Sequence, residues 1–161
     1  MSVSDIAKNI FKWAVISLVA ALLLNCLCDA LKTEFLQKFL EENLILLLVA
    51  LLAINTATIG IILLRLGEIS SEYKVKFPRI ISAMKQSVWE QLGLITIGTF
   101  CLVLHTSKVI KSTFPNADFY LETAIIAIAI YAIVVVYDTA DAAFALNHES
   151  DKLIDKSKPP H

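Results

Sequence analysis

The sequence predicts an all-α, polytopic integral membrane protein with four transmembrane helices and short interfacial amphipathic helices. Three observations carry that expectation. Of 161 residues, 57% are hydrophobic and only 18% charged, with a mean hydropathy of +0.71, which is more apolar than a soluble domain of this size can hide. Four charge-free runs, Trp13 to Cys28, Asn43 to Leu64, Gln91 to Ser107 and Thr123 to Tyr137, take up 16, 22, 17 and 15 residues. Within them Leu, Ile, Val and Ala run on continuously instead of alternating as barrel strands do, and in hydrocarbon only helices and closed barrels satisfy their own backbone groups.

A helix needs about 20 residues to cross about 30 Å of hydrocarbon, so only the second run spans on uncharged residues alone. Extended into their charged ends, the spans cover about 12–31, 43–66, 89–109 and 120–146. They form one membrane domain, 1–146, followed by a charged tail, 147–161, expected to be mobile.

Before the first span, Val3, Ile6, Ala7, Ile10 and Phe11 recur at three- and four-residue steps, the pattern of a short amphipathic helix at the membrane surface. Lys8 and Lys12 ahead of an apolar core imitate a secretory signal. Leu24 and Asn25 before Cys26 make a poor cleavage site, so the span reads as a retained anchor.

In the second span, Ala50, Ala53, Ala57 and Gly60 form a stripe of small side chains. Such stripes let helix backbones approach closely in lipid, either within the four-helix unit or at a contact between subunits. Asn55 and Thr58 occupy the opposite face, where Asn55 is expected to make an interhelical hydrogen bond. Past the polar stretch Gly67 to Lys76, Pro78 suits a first helical turn. Ile80, Ile81, Met84 and Val88 then share one face, opposite Arg79, Ser82, Lys85 and Gln86. Two readings stay open: an interfacial helix in which Lys74, Lys76, Arg79 and Lys85 meet lipid or a partner and Trp89 anchors it, or a plain extension of span three.

Thr96, Thr99 and Thr106 line one side of span three, with His105 near its outer end. Threonine hydroxyls readily bond their own helix carbonyls. Span four carries Tyr120, Ala124, Ala127, Tyr131, Val134, Asp138 and Asp141 on one stripe. A carboxylate at depth is expensive and faces protein or water, so Asp138 is expected to be buried and paired, the competing reading being a wetted boundary position. Glu90 and Glu122 sit where spans three and four begin, a placement that suits the positive end of a helix dipole.

The net charge of −1 removes the basic footprint a nucleic-acid binder needs. If both termini share a side with the central loop, that side holds ten basic residues against four on the other, namely Lys32, Lys38, Lys108 and Lys111. This bias places the termini in the cytoplasm.

The chain carries no nucleophile elbow, phosphate loop or zinc motif. Cys26, Cys28 and Cys101 lack ligand spacing and read as small buried hydrophobes, while His148, Glu149 and Asp151 are too closely strung to hold a metal. No catalytic residue, metal or cofactor is expected, and an intramembrane carboxylate pair at Asp138 and Asp141 is the weakest of the functional readings. The leading one is a non-enzymatic, oligomeric scaffold or sensor that presents its loop and tail to a soluble partner. The alternative is an oligomeric pore lined by Asn55, Thr58, Asp138 or the span-three threonines.

The four runs, the basic loop Lys74 to Lys85 and the acidic end Asp138 to Asp141 give the whole chain an architecture that resembles small four-span membrane subunits of bacterial anti-phage systems, such as the Kiwa membrane subunit. The resemblance lies in layout and not in a specific motif. It implies a homo-oligomer in the bacterial inner membrane that senses envelope disturbance and docks a cytosolic effector.

Overall fold

A computed structural model describes residues 3–73, 78–107, 110 and 116–157. Among them are four long helices, α1 (Val3–Leu31), α2 (Phe35–Tyr73), α3 (Pro78–Thr106) and α4 (Ala117–Ser157). Each contains a stretch long and apolar enough to cross a membrane: Lys8–Leu31, Phe35–Glu68, Ile80–Thr106 and Ala117–Phe144. The fold is therefore all-α, with four helices of membrane-spanning character.

The helices outrun the charge-free segments because adding a residue to an existing helix forms a hydrogen bond without repeating the cost of nucleation. Three expectations change for that reason. The amphipathic N-terminal segment is the first part of α1 and not a separate surface helix. The segment from Pro78 is the first part of α3, so the extension reading holds there. The tail, expected to be mobile, is helical as far as Ser157. Of the loop cations, Lys85 is exposed, whereas Lys74 and Lys76 lie outside the described residues, as does the Arg79 side chain.

Only three residues join α1 to α2. Lys32 takes a left-handed backbone conformation, φ 51°; its N–H donates to the Asp29 carbonyl at 3.1 Å, and the Thr33 N–H donates to the Cys28 carbonyl at 3.0 Å. This pair of bonds is a Schellman termination. The Thr33 hydroxyl then accepts from the Phe35 N–H at 3.4 Å, capping α2. Glu34 and Lys38 pair at 2.8 Å on the surface, and the ammonium lowers the Glu34 carboxyl below its ordinary value.

α4 packs against each of the other three helices, and α2 also packs against α3. Its buried face, Ile125, Ile126, Ile128, Ala129 and Ala132, meets Ala21 of α1, Leu40, Leu44 and Leu48 of α2, and Cys101 of α3. The closest approach in this core is at Gly98, where an added Cβ would stand 3.2 Å from Leu48 Cδ1 and 3.3 Å from Leu44 Cδ2. A smaller cluster joins Ile59, Ile62 and Leu66 of α2 to Met84 of α3, with Ile80, Val88 and Ala143 against it. The apolar face at the start of α3 is thus spent on protein, although Ile81 remains exposed.

The small stripe of α2 has a different position from Gly98. Ala50, Ala53, Ala57 and Gly60 are exposed, with nothing within 4 Å of a Cβ at Gly60. The stripe is therefore turned away from the packed core among the described residues. Many apolar side chains also face outward, including Leu23, Leu46 and Leu64 at 67%, 70% and 72% exposure. Outward-facing rings bound this apolar surface, Tyr120 and Phe35 at the end where the hairpins turn, Trp89 and Tyr137 at the end of the chain termini, as at the two interfaces of a bilayer.

This packing separates two glycines. Gly98→Leu is expected to lower the melting temperature of the detergent-solubilised chain, at a cost of about 1–3 kcal/mol from overpacking. Gly60→Leu should leave the melting of the single chain in place and change only self-association on native gels. Equal melting of the two variants would contradict the core assignment.

Candidate functional site

Apart from Ser17, the buried polar side chains among the described residues gather in two layers, one at the hairpin end and one toward the termini. The antiparallel run of the helices makes the hairpin layer: the end of α3 and the starts of α2 and α4 arrive together. His105 of α3 lies at its centre with a side chain only 8% exposed. Its Nδ1 is 3.6 Å from Glu41 Oε1 of α2, and its Nε2 is 3.8 Å from Asp118 Oδ1 and 3.9 Å from Glu122 Oε1 of α4. One ligand atom each from Glu41, His105 and Glu122 lie within 4.8 Å of one another.

A hydrogen-bonded chain holds this group from behind. The Gln37 amide donates to Glu122 Oε2 at 3.2 Å and to Asn25 Oδ1 at 3.1 Å. Asn25 in turn donates to Thr123 Oγ1 at 2.9 Å and to the Phe119 carbonyl at 3.3 Å. Asn25 and Thr123 are buried, and buried amides fully engaged in this way fix their neighbours' rotamers. Exposure rises from His105 at 8% through Glu122 at 22% and Glu41 at 38%. The group is thus closed toward the apolar core and open toward the hairpin end.

The second layer is neutral at its centre. Asn55 donates to Ser87 Oγ at 2.9 Å and to Gln91 Oε1 at 3.0 Å, and Ser87 shares a 2.9 Å hydrogen bond with Thr139 of α4. At its edge the Tyr131 hydroxyl donates to Glu90 Oε2 at 3.4 Å, while Gln86 donates to Glu90 Oε1 at 2.8 Å. Between the layers Leu44, Leu48, Cys101, Ile125 and Ile128 form an apolar core, and the Ser17 hydroxyl of α1 is the buried polar group outside both layers among the described residues.

Asn55 makes the interhelical bonds expected of it. Thr58 bonds its own helix, donating to the Ile54 carbonyl at 3.0 Å, and Thr96, Thr99 and Thr106 do the same with Leu92, Ile95 and Leu102. Asp138 and Asp141 are exposed. The buried, paired position expected for Asp138 is not found: it directly follows the outward Tyr137 ring, on a face that α4 turns away from its neighbours. Glu90 is also not at a helix start, since α3 begins twelve residues earlier; it is a hydrogen-bonding partner of α4. Cys28 and Cys101 are buried, whereas Cys26 is exposed.

Sequence reasoning left the hairpin layer unassembled, with no metal ligands expected. Its members are distant along the chain, and Glu41 fell in a stretch read as an outer loop. One signal was available: once four antiparallel spans are drawn, Glu41, His105 and Glu122 all fall at the same end. No protein-family model, curated protein or solved structure matches the chain.

The different surroundings of Asn55 and Asp138 give opposite expectations for leucine. Asn55→Leu should cost about 1–2 kcal/mol, because it strands the buried Gln91 amide, and should lower the melting temperature in detergent. Asp138→Leu should melt at or above the parent, since it removes an exposed charge beside the apolar span. A larger loss at Asp138 than at Asn55 would refute this placement.

Proposed function

We propose that the chain is a non-enzymatic, oligomeric membrane scaffold or sensor subunit, with both termini in the cytoplasm of a bacterial cell, that presents a helical platform to a soluble partner. In keeping with its architectural resemblance, the process served is anti-phage defence. The supporting observation is the length of α4. Its apolar stretch ends at Phe144, yet the helix continues through Ser157, so 13 more residues project about 20 Å past the span at about 1.5 Å per residue. α2 likewise runs beyond its apolar stretch, from Glu68 to Tyr73. A mixed-charge helix extending from a membrane bundle has no lipid-facing use, and it offers a rigid docking surface on the side where basic residues concentrate.

The homo-oligomer rests on the outward stripe Ala50, Ala53, Ala57 and Gly60, a surface suited to close approach of a second copy. A pore formed inside one chain has little support, because apolar side chains fill the space between the two polar layers. A pore between copies is the alternative reading.

A soluble cytoplasmic protein should co-purify with the chain in mild detergent and be lost when the chain is cut after Phe144, with membrane insertion unchanged. Retention by the truncated chain would count against the platform. Liposomes carrying the purified protein should hold an entrapped dye; sustained leakage would favour the pore.

A further inference from the structure

We propose that Glu41, His105 and Glu122 bind one divalent transition-metal ion of the Zn²⁺ class, tying together α2, α3 and α4 at the hairpin end. The inference goes beyond the scaffold reading and does not depend on a docked partner.

The donor set fits such an ion. One imidazole and two carboxylates match a zinc or related first-row site, with room for water in a fourth position. Neutral imidazole with two carboxylates carries a charge of −2, which a divalent cation balances. For metal–ligand bonds of about 2.1 Å in tetrahedral array the ligand atoms stand about 3.4 Å apart. Here they lie within 4.8 Å, so side-chain rotations of about an ångström close the shell.

Two further features separate this group from a chance gathering of acids. His105 is buried, and its Nε2 has no hydrogen-bond partner among the described residues, although such an atom normally finds one. It faces Glu122 Oε1 at 3.9 Å and Asp118 Oδ1 at 3.8 Å, which is too long for a hydrogen bond and suits an ion held at Nε2 beside Glu122. Asp118 is a further carboxylate next to it, and Glu41, which stands nearer Nδ1, turns in from within the 4.8 Å group. The second feature is support from outside the ligand shell. Gln37, itself held by Asn25, donates to the Glu122 oxygen that does not face His105, as outer-shell partners do when they orient a ligating carboxylate. The graded exposure from His105 to Glu41 supplies a path of entry.

The full chain, stripped with a chelator in detergent and then desalted after addition of Zn²⁺, should retain one Zn²⁺ per chain and melt at a higher temperature. Co²⁺ in its place should give the visible absorption of a tetrahedral nitrogen–oxygen site, without the thiolate charge-transfer band that binding at a cysteine would produce. Mg²⁺ should not compete, since it avoids imidazole. His105→Gln and Glu122→Gln should each weaken Zn²⁺ binding at least about tenfold and Gln37→Leu by about tenfold, while exposed Glu42→Gln should bind as the parent does. Glu41→Gln serves as the ligand variant if the more buried substitutions fail to fold. Substoichiometric Zn²⁺ on the parent, a thiolate band with Co²⁺, or parent-like affinity in the folded ligand variants would overturn the proposal.

Discussion

The inner face of α4 is the surface on which all three other helices of this bundle pack. Without a hydrophobic drive between helices in lipid, association relies on close packing and on interhelical hydrogen bonds, and α4 supplies both to three partners at once. Ile125, Ile126 and Ile128 fill the interior while Ala129 and Ala132 admit the neighbouring helices. The same helix carries Glu122 and Thr123 into one polar layer and Tyr131 and Thr139 into the other. Its register therefore sets both layers together, because one rigid helix cannot shift at one end only.

The polar layers are costly to build and correspondingly specific. Polar groups taken out of water are costly without partners, and several here find them across helices, as with Asn25 to Thr123 and Asn55 to Gln91. Generic apolar contacts would tolerate a slide of one helix along another. A displaced Asn55 would instead lose Ser87 and Gln91 together. The two layers differ in chemistry as well as place: the one toward the termini is a neutral amide and hydroxyl network with one carboxylate at its edge, whereas the hairpin layer concentrates carboxylates around one imidazole. Only the second calls for a counter-charge.

The outward surface divides the molecule by use. Its apolar middle, bounded by Tyr120 and Phe35 on one side and by Trp89 and Tyr137 on the other, has the length and composition of a membrane-spanning surface. The end beyond Phe144 is helical and charged. At the hairpin end a three-residue turn joins α1 to α2, and the polar cluster around His105 lies above the core. α4 runs unbroken from the hairpin layer to beyond Phe144.

An all-helical chain, with four helices among the described residues long and apolar enough to cross a membrane, was legible in the sequence, because hydropathy and charge act locally. The helix ends were not, since α2 and α3 begin well before their charge-free runs. The Asn55 bond and the back-bonded threonines were legible too, since each follows from one residue on one helix. The faces that meet were not. Small residues at Ala50 to Gly60 made a regular stripe, yet the close approach occurs at Gly98, whose neighbours Leu44, Leu48 and Ile128 come from two other helices. Asp138 looked deep on its shortened run, but α4 turns it outward beside Tyr137. Glu41, His105 and Glu122 stand 64 and 17 residues apart along the chain. Hydrophobicity sets how far a helix extends, whereas its rotation and partners are set by packing among all four, and only that rotation brings an imidazole and two carboxylates to one point.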